Sequence, residues 1–157
     1  MTSSKARGRA LAWLLLLAAA VPQARAALGE DQGTVEGDGQ RLQARRSTLR
    51  AAQYSVHELS SPDGSRVRQF VGPHGRVFAV SWNTLHKPDL SGLLGTSFAD
   101  YRNAARHAAD RGGIQRQFRH TGTDLVVQNS GHLQVYAGYA YRPSLLPAGL
   151  TPQALGL

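Results

Sequence analysis

Residues 53–82 read QYSVHELSSPDGSRVRQFVGPHGRVFAVSW, and the fold class follows from this stretch. Two clusters cut it, Ser61-Pro62-Asp63-Gly64 and Gly72-Pro73-His74-Gly75. In each, proline presets φ and glycine accepts a positive φ, which a tight turn demands. The segments left between them are Gln53–Ser60, Ser65–Val71 and Arg76–Trp82. They are rich in Val, Phe, Tyr and Trp, which suit a pleated, half-buried surface. The pattern predicts an antiparallel meander. Alternation places Phe78, Val80 and Trp82 on one face of the third strand and Val77 and Ala79 on the other. A strand apolar on both faces belongs in the middle of a sheet.

Downstream, His86–Gly95 (HKPDLSGLLG) is a connection with an apolar plug of Leu90, Leu93 and Leu94. A helix follows. Thr96 or Ser97 caps it, and Asp100 stands three residues past Ser97 in capping-box spacing. Phe98, Tyr101, Ala105 and Ala108 form one stripe, and Gly112-Gly113 stops the helix. Two more strands, Asp124–Gln128 and His132–Arg142, flank a hairpin connection at Asn129-Ser130-Gly131, and Ile114–His120 offers one more. Strands, helix, then strands again give an α+β fold: a small antiparallel sheet built from a strand meander, one helix and a C-terminal hairpin, with the helix packed on one face.

Upstream of the meander, Lys5, Arg7 and Arg9 precede the apolar run Ala10–Val21, and Ala24-Arg25-Ala26 reads as an A-x-A cleavage site. About twelve apolar residues fall short of the roughly twenty that span a bilayer. Residues 1–26 are therefore read as a signal peptide cut between Ala26 and Ala27, leaving no transmembrane span. Residues 27–52 are polar and Gly-rich, a flexible leader whose second half, Gln40–Ala52, is either a short basic helix or a frayed solvated segment. The α+β domain occupies 53–149, and 150–157 is a C-terminal tail broken by Pro152. The expected location is the periplasm or the exterior.

The chain has no cysteine, which excludes disulfides, thiol catalysis, Cys-ligated zinc and iron–sulfur clusters. Its formal charge of +8 becomes +4 once Lys5, Arg7, Arg9 and Arg25 leave with the signal. After the cut Lys87 is the only lysine and all other basic residues are arginine. That bias reflects a compositionally skewed surface or a modest positive field toward an acidic partner.

Several runs resemble a known family. They are Gly75-Arg76-Val77-Phe78-Ala79-Val80-Ser81-Trp82, Pro88-Asp89-Leu90-Ser91-Gly92-Leu93-Leu94-Gly95, Ser130-Gly131-His132-Leu133, Gly138-Tyr139-Ala140-Tyr141-Arg142-Pro143 and Leu146-Pro147-Ala148-Gly149. Together they resemble the bacterial secreted family Domain of Unknown Function 2844, found mostly in Burkholderia-like proteobacteria, over nearly all of Tyr54–Gly149. The resemblance implies an exported single-domain protein and carries no activity, ligand or catalytic residue.

Six histidines are the first candidates for metal or acid–base work, and none sits in a dense ligand motif. If the His86 loop met the hairpin at His132, then His86, Asp89 and His132 could bind a metal or form a hydrolytic site. The alternative is that His132 bonds the hairpin backbone and His86 is solvated. Ser81, Ser91 and Ser130, with Asp89 or Asp124, lack the G-x-S-x-G elbow of a nucleophile. Glycine spacing fits no nucleotide loop, so no cofactor is implied, and nucleic acid is not an expected partner. Tyr136 with Arg116 and Arg119 forms either a sugar- or anion-binding face or ordinary sheet packing. Two function classes follow. One is a non-enzymatic binding module for an envelope protein or anionic envelope polymer; the other is a small metal-dependent or acid–base hydrolase using His86, Asp89 and His132.

Overall fold

The computed structural model describes residues 27–31, 45–110 and 117–157. The signal peptide with Ala26, the Gly112-Gly113 helix stop and Arg116 lie outside the described residues.

The meander forms as β1 (Arg45–Arg50), β2 (Ser55–Ser60), β3 (Arg66–Val71) and β4 (Val77–Thr84), joined by antiparallel pairing. Helices α1 (Leu90–Leu94) and α2 (Phe98–Asp110) follow, then β5 (Gln117–Thr121), β6 (Val126–His132) and β7 (Val135–Tyr141). The sheet order is β1-β2-β3-β4-β7-β6-β5, so the last strand returns to pair with β4. β4 is central, as its two apolar faces require. The architecture is α+β with one open seven-stranded antiparallel sheet.

β1 falls where the sequence pointed to leader or basic helix. Arg45–Arg50 instead pairs residue for residue with Ser55–Ser60, all six side chains exposed. Strong neighbouring pairing overrides the weak helical stripe of a segment with few leucines. The start of the same leader is also structured. Ala27 and Leu28 are 1% and 0% exposed. The Leu28 N–H donates to the Leu93 carbonyl (3.0 Å) and the Gly29 N–H to the Val77 carbonyl (2.8 Å).

Two hydrophobic clusters occupy opposite faces of the sheet, because neighbouring strand residues point to opposite sides. One joins Val67, Val71, Val80, Trp82, Val127 and Ala140 to Leu28, Leu90 and Leu94, with Phe98 and Tyr101 of α2 packed against it. The other joins Phe70, Phe78, Ala79 and Leu155, flanked by Tyr54 and by Leu145, Leu146, Leu150 and Leu157. The C-terminal tail is thus a cover for the second face. Short 3-10 turns at Pro143–Leu145 and Pro152–Leu155 shape it, and Thr151 Oγ1 accepts from the Ala154 N–H at 3.3 Å.

Two register details depart from simple alternation. Phe70 faces Ala79 but Val71 faces Val77, so Phe78 is an extra residue in β4. The bulge turns Phe78 away from the Val80 and Trp82 side and joins it to Ala79 in the second cluster. The hairpin turn also falls beyond Asn129-Ser130-Gly131, which lie within β6. Ser130, Gly131 and His132 pair with Ala137, Tyr136 and Val135, and the chain reverses at Leu133 (φ 45°) and Gln134 (φ 66°). Gly131 serves packing, since a Cβ there would stand 3.1 Å from Tyr136 Cδ1.

Gly138 is the tightest point of the sheet. A Cβ there would lie 2.6 Å from Trp82 Cζ2 and still closer to the Gln128 carbonyl oxygen. A backbone oxygen cannot swing aside. We expect Gly138→Ala to cost about 3 kcal/mol, the upper end for overpacking, and Leu28→Ala about 2–5 kcal/mol through its cavity. Gly64→Ala, at φ 87° with open space around it, should cost only about 1 kcal/mol. Urea unfolding of the three variants checks this ranking.

Candidate functional site

The β4 exit and the β6–β7 turn are at the same end of the sheet, but the candidate side chains there have different surroundings. His86 Nε2 lies 3.9 Å from Asp63 Oδ2, an exposed pair linking the β4 exit to the β2–β3 turn. Asp89 caps α1: its Oδ1 accepts from the Ser91 and Gly92 N–H groups (3.1 and 3.2 Å) and from the Ser91 hydroxyl. His132 is exposed at the end of β6. The carboxylate proposed to join the two histidines therefore serves a helix end, and His86 faces a different aspartate. Among the described residues no three His, Asp or Glu side chains are grouped to hold a metal ion.

Tyr136 and Arg119 are on opposite faces. Tyr136 shares a row with Gly131 and Thr84, whereas Arg119 shares one with Gln128 and Tyr139. Tyr136 is half-buried and lies over Gly131, which is sheet packing. Asp124 is structural as well. It accepts from Arg142 Nε (2.8 Å) and the Ser144 N–H (3.0 Å), tying the β5–β6 connection to the segment after β7. Burial pushes its carboxyl up, but the Ser144 hydroxyl and N–H and the Arg142 guanidinium together hold it below its ordinary value.

The concave chemistry lies at the sheet end where β1 turns into β2. A cavity of about 300 Å³ is lined there by Thr48, Arg50, Tyr54, Ser55, His57 and Pro73, among others. A second cavity, of about 460 Å³, shares Ala52, Gln53, Gly72 and Pro73 with the first and continues to His74, Arg76 and the Leu145–Leu146 turn. Their combined lining holds two arginines and two histidines and no carboxylate. The Arg76 guanidinium donates to the Gly29 carbonyl (2.8 Å), which fixes its position without neutralising it.

His57 is the buried polar group of this site, 2% exposed in the middle of β2. Its Nδ1 lies 3.0 Å from Thr48 Oγ1 and 3.2 Å from Arg46 Nη2, and its Nε2 lies 3.4 Å from Ser55 Oγ. Burial lowers its pKa first, and the charges of Arg46 and Arg50 lower it further. The imidazole is neutral at pH 7. Sequence reasoning passed over His57 because pairing of β1 beside β2 was not expected; without β1 there are no arginines next to it.

The family profile described as Protein of unknown function (DUF2844) matches residues 24–155. No curated protein and no solved structure matches the chain. The profile covers most of the sequence, and the chain belongs to this family.

A histidine whose folded pKa is depressed stabilises the fold above its unfolded pKa, and that contribution is lost as pH falls through the folded value. For His57 the loss begins below its ordinary value of 6.5. Asp124 and Glu58 act the same way at lower pH, below their ordinary values of 3.8 and 4.5. Urea midpoints from about pH 3 to about pH 8 should rise up to the histidine range and then level. His57→Gln should flatten that rise while leaving the acid-range loss in place.

Proposed function

We propose that this family member is an exported, non-enzymatic binding module of the bacterial envelope, working in the periplasm or outside the cell, whose ligand is an anionic envelope polymer. One observation carries the reading: the joined cavities at the β1–β2 end collect Arg50, Arg76, His57 and His74 and contain no carboxylate. Two guanidinium groups in a concave lining that has no carboxylate favour anions. Export rests on the n-region, apolar run and A-x-A site of residues 1–26. No helix among the described residues is long and apolar enough to cross a membrane.

A protein partner is the second reading, favoured by β1 itself. β1 is an edge strand, and Leu49 on it is 70% exposed. An open edge can accept an extended segment by strand addition. The hydrolase reading gains no support from the placement of His86, Asp89 and His132.

The test is affinity capture from envelope extract with the tagged exported chain, at low and high salt, read by sugar analysis and mass spectrometry. An anionic polymer released by salt is the expected result. Arg50→Glu with His74→Glu should reduce its capture by about tenfold. A stoichiometric protein that survives high salt and is lost with Leu49→Lys would replace the polymer reading with strand addition. Capture of polymer unchanged by the two charge reversals would move the site away from these cavities.

A further inference from the structure

The direction of the hydrogen bonds around His57 says more about the ligand than its charge does. A guanidinium only donates, so the Arg46 contact at 3.2 Å makes His57 Nδ1 an acceptor. The ring proton of the neutral imidazole is then on Nε2, which donates to Ser55 Oγ at 3.4 Å. With its oxygen accepting from the ring, the Ser55 hydroxyl has its own proton to give, and Ser55 lines the cavity. Arg50, opposite Ser55 in the β1–β2 register, lines it too. The site therefore offers a guanidinium from one strand and a hydroxyl donor from the next, backed by a 98% buried imidazole whose tautomer is fixed.

We propose that the Arg50–Ser55–His57 cavity binds the phosphoryl group of a phosphate ester. This rests on the anionic-ligand reading above and names the chemistry of its group. Donors come from two paired strands, and a phosphoryl group has more oxygens to accept from them than a carboxylate has. A volume of about 300 Å³ exceeds an inorganic ion and is at the lower bound for small-molecule sites, leaving room for the sugar or alcohol that carries the phosphate. The second cavity continues that space past His74 toward Leu145 and Leu146. A larger esterified group has somewhere to lie.

The experiment is calorimetric titration of the exported chain with inorganic phosphate, with glucose 1-phosphate and with acetate, alongside nitrogen NMR of the histidine rings. Saturable binding of both phosphates with acetate much weaker, and movement of the His57 ring signals, is the expected result. Arg50→Gln should weaken phosphate by about tenfold or more, the worth of one charge-assisted hydrogen bond. Ser55→Ala should weaken it less, and Arg102→Gln on α2 should leave it unchanged. Tighter binding of the sugar phosphate than of inorganic phosphate assigns the site to an esterified ligand; the reverse order assigns it to free phosphate and overturns the ester. Acetate binding as well as phosphate overturns the phosphoryl assignment. If phosphate is silent while envelope polymer is still captured in an Arg50-dependent way, the phosphoryl class falls and the binding module stands. Silence in both assays removes both.

Discussion

Everything in this molecule is arranged around one strand whose first half has no solvent side. Val77, Phe78, Ala79 and Val80 of β4 are each 0% exposed. β4 pairs with β3 on one edge and β7 on the other, so its backbone groups are satisfied in the sheet, while both faces require apolar cover. The α1 leucines with Leu28 supply one cover, and the C-terminal leucines supply the other. The bulge at Phe78 makes this possible within one strand, setting two consecutive residues toward the tail and leaving Val80 and Trp82 toward α1.

The same constraint explains what could be read from the sequence. The three strands split by Pro/Gly turns, the central place of β4 and the helix after Ser97 each have a local signal, so their positions follow from residues close in the chain. The elements that were not legible depend on distant partners. β1 has arginines and a single exposed leucine and becomes a strand because β2 offers it an edge. Leu28 has no periodic neighbours and is read as core only when the groove formed by Leu93 and Val77 is known. Asn129-Ser130-Gly131 has the composition of a turn, yet Gly131 is there to admit the Tyr136 ring. Composition cannot tell a glycine that bends the chain from one that makes room.

The candidate site follows the same rule. His86, Asp89 and His132 attracted notice because their residue types are chemically able, but chemical ability counts only where side chains converge. Asp89 is engaged by a helix end and His86 by a turn. His57 had no such motif around it. It becomes notable through β1, which places Arg46, Thr48 and Arg50 beside a buried ring. A polar group held neutral under flanking cations is a feature of the assembled sheet and has no counterpart in local sequence.

The depth of Leu28 has a consequence for timing. Under the export reading, the chain is cut between Ala26 and Ala27, one residue before a core side chain. A peptidase needs that stretch extended and accessible, but in the folded protein Ala27 is buried and the Leu28 and Gly29 N–H groups are already engaged. Cleavage and docking compete for the same few residues, so they must happen in order. Under that reading a peptidase reaches the bond only while Leu28 is out of the groove between α1 and β4. Processing of an exported chain would then come before the closing of its core, and a copy that seated Leu28 first would resist the peptidase.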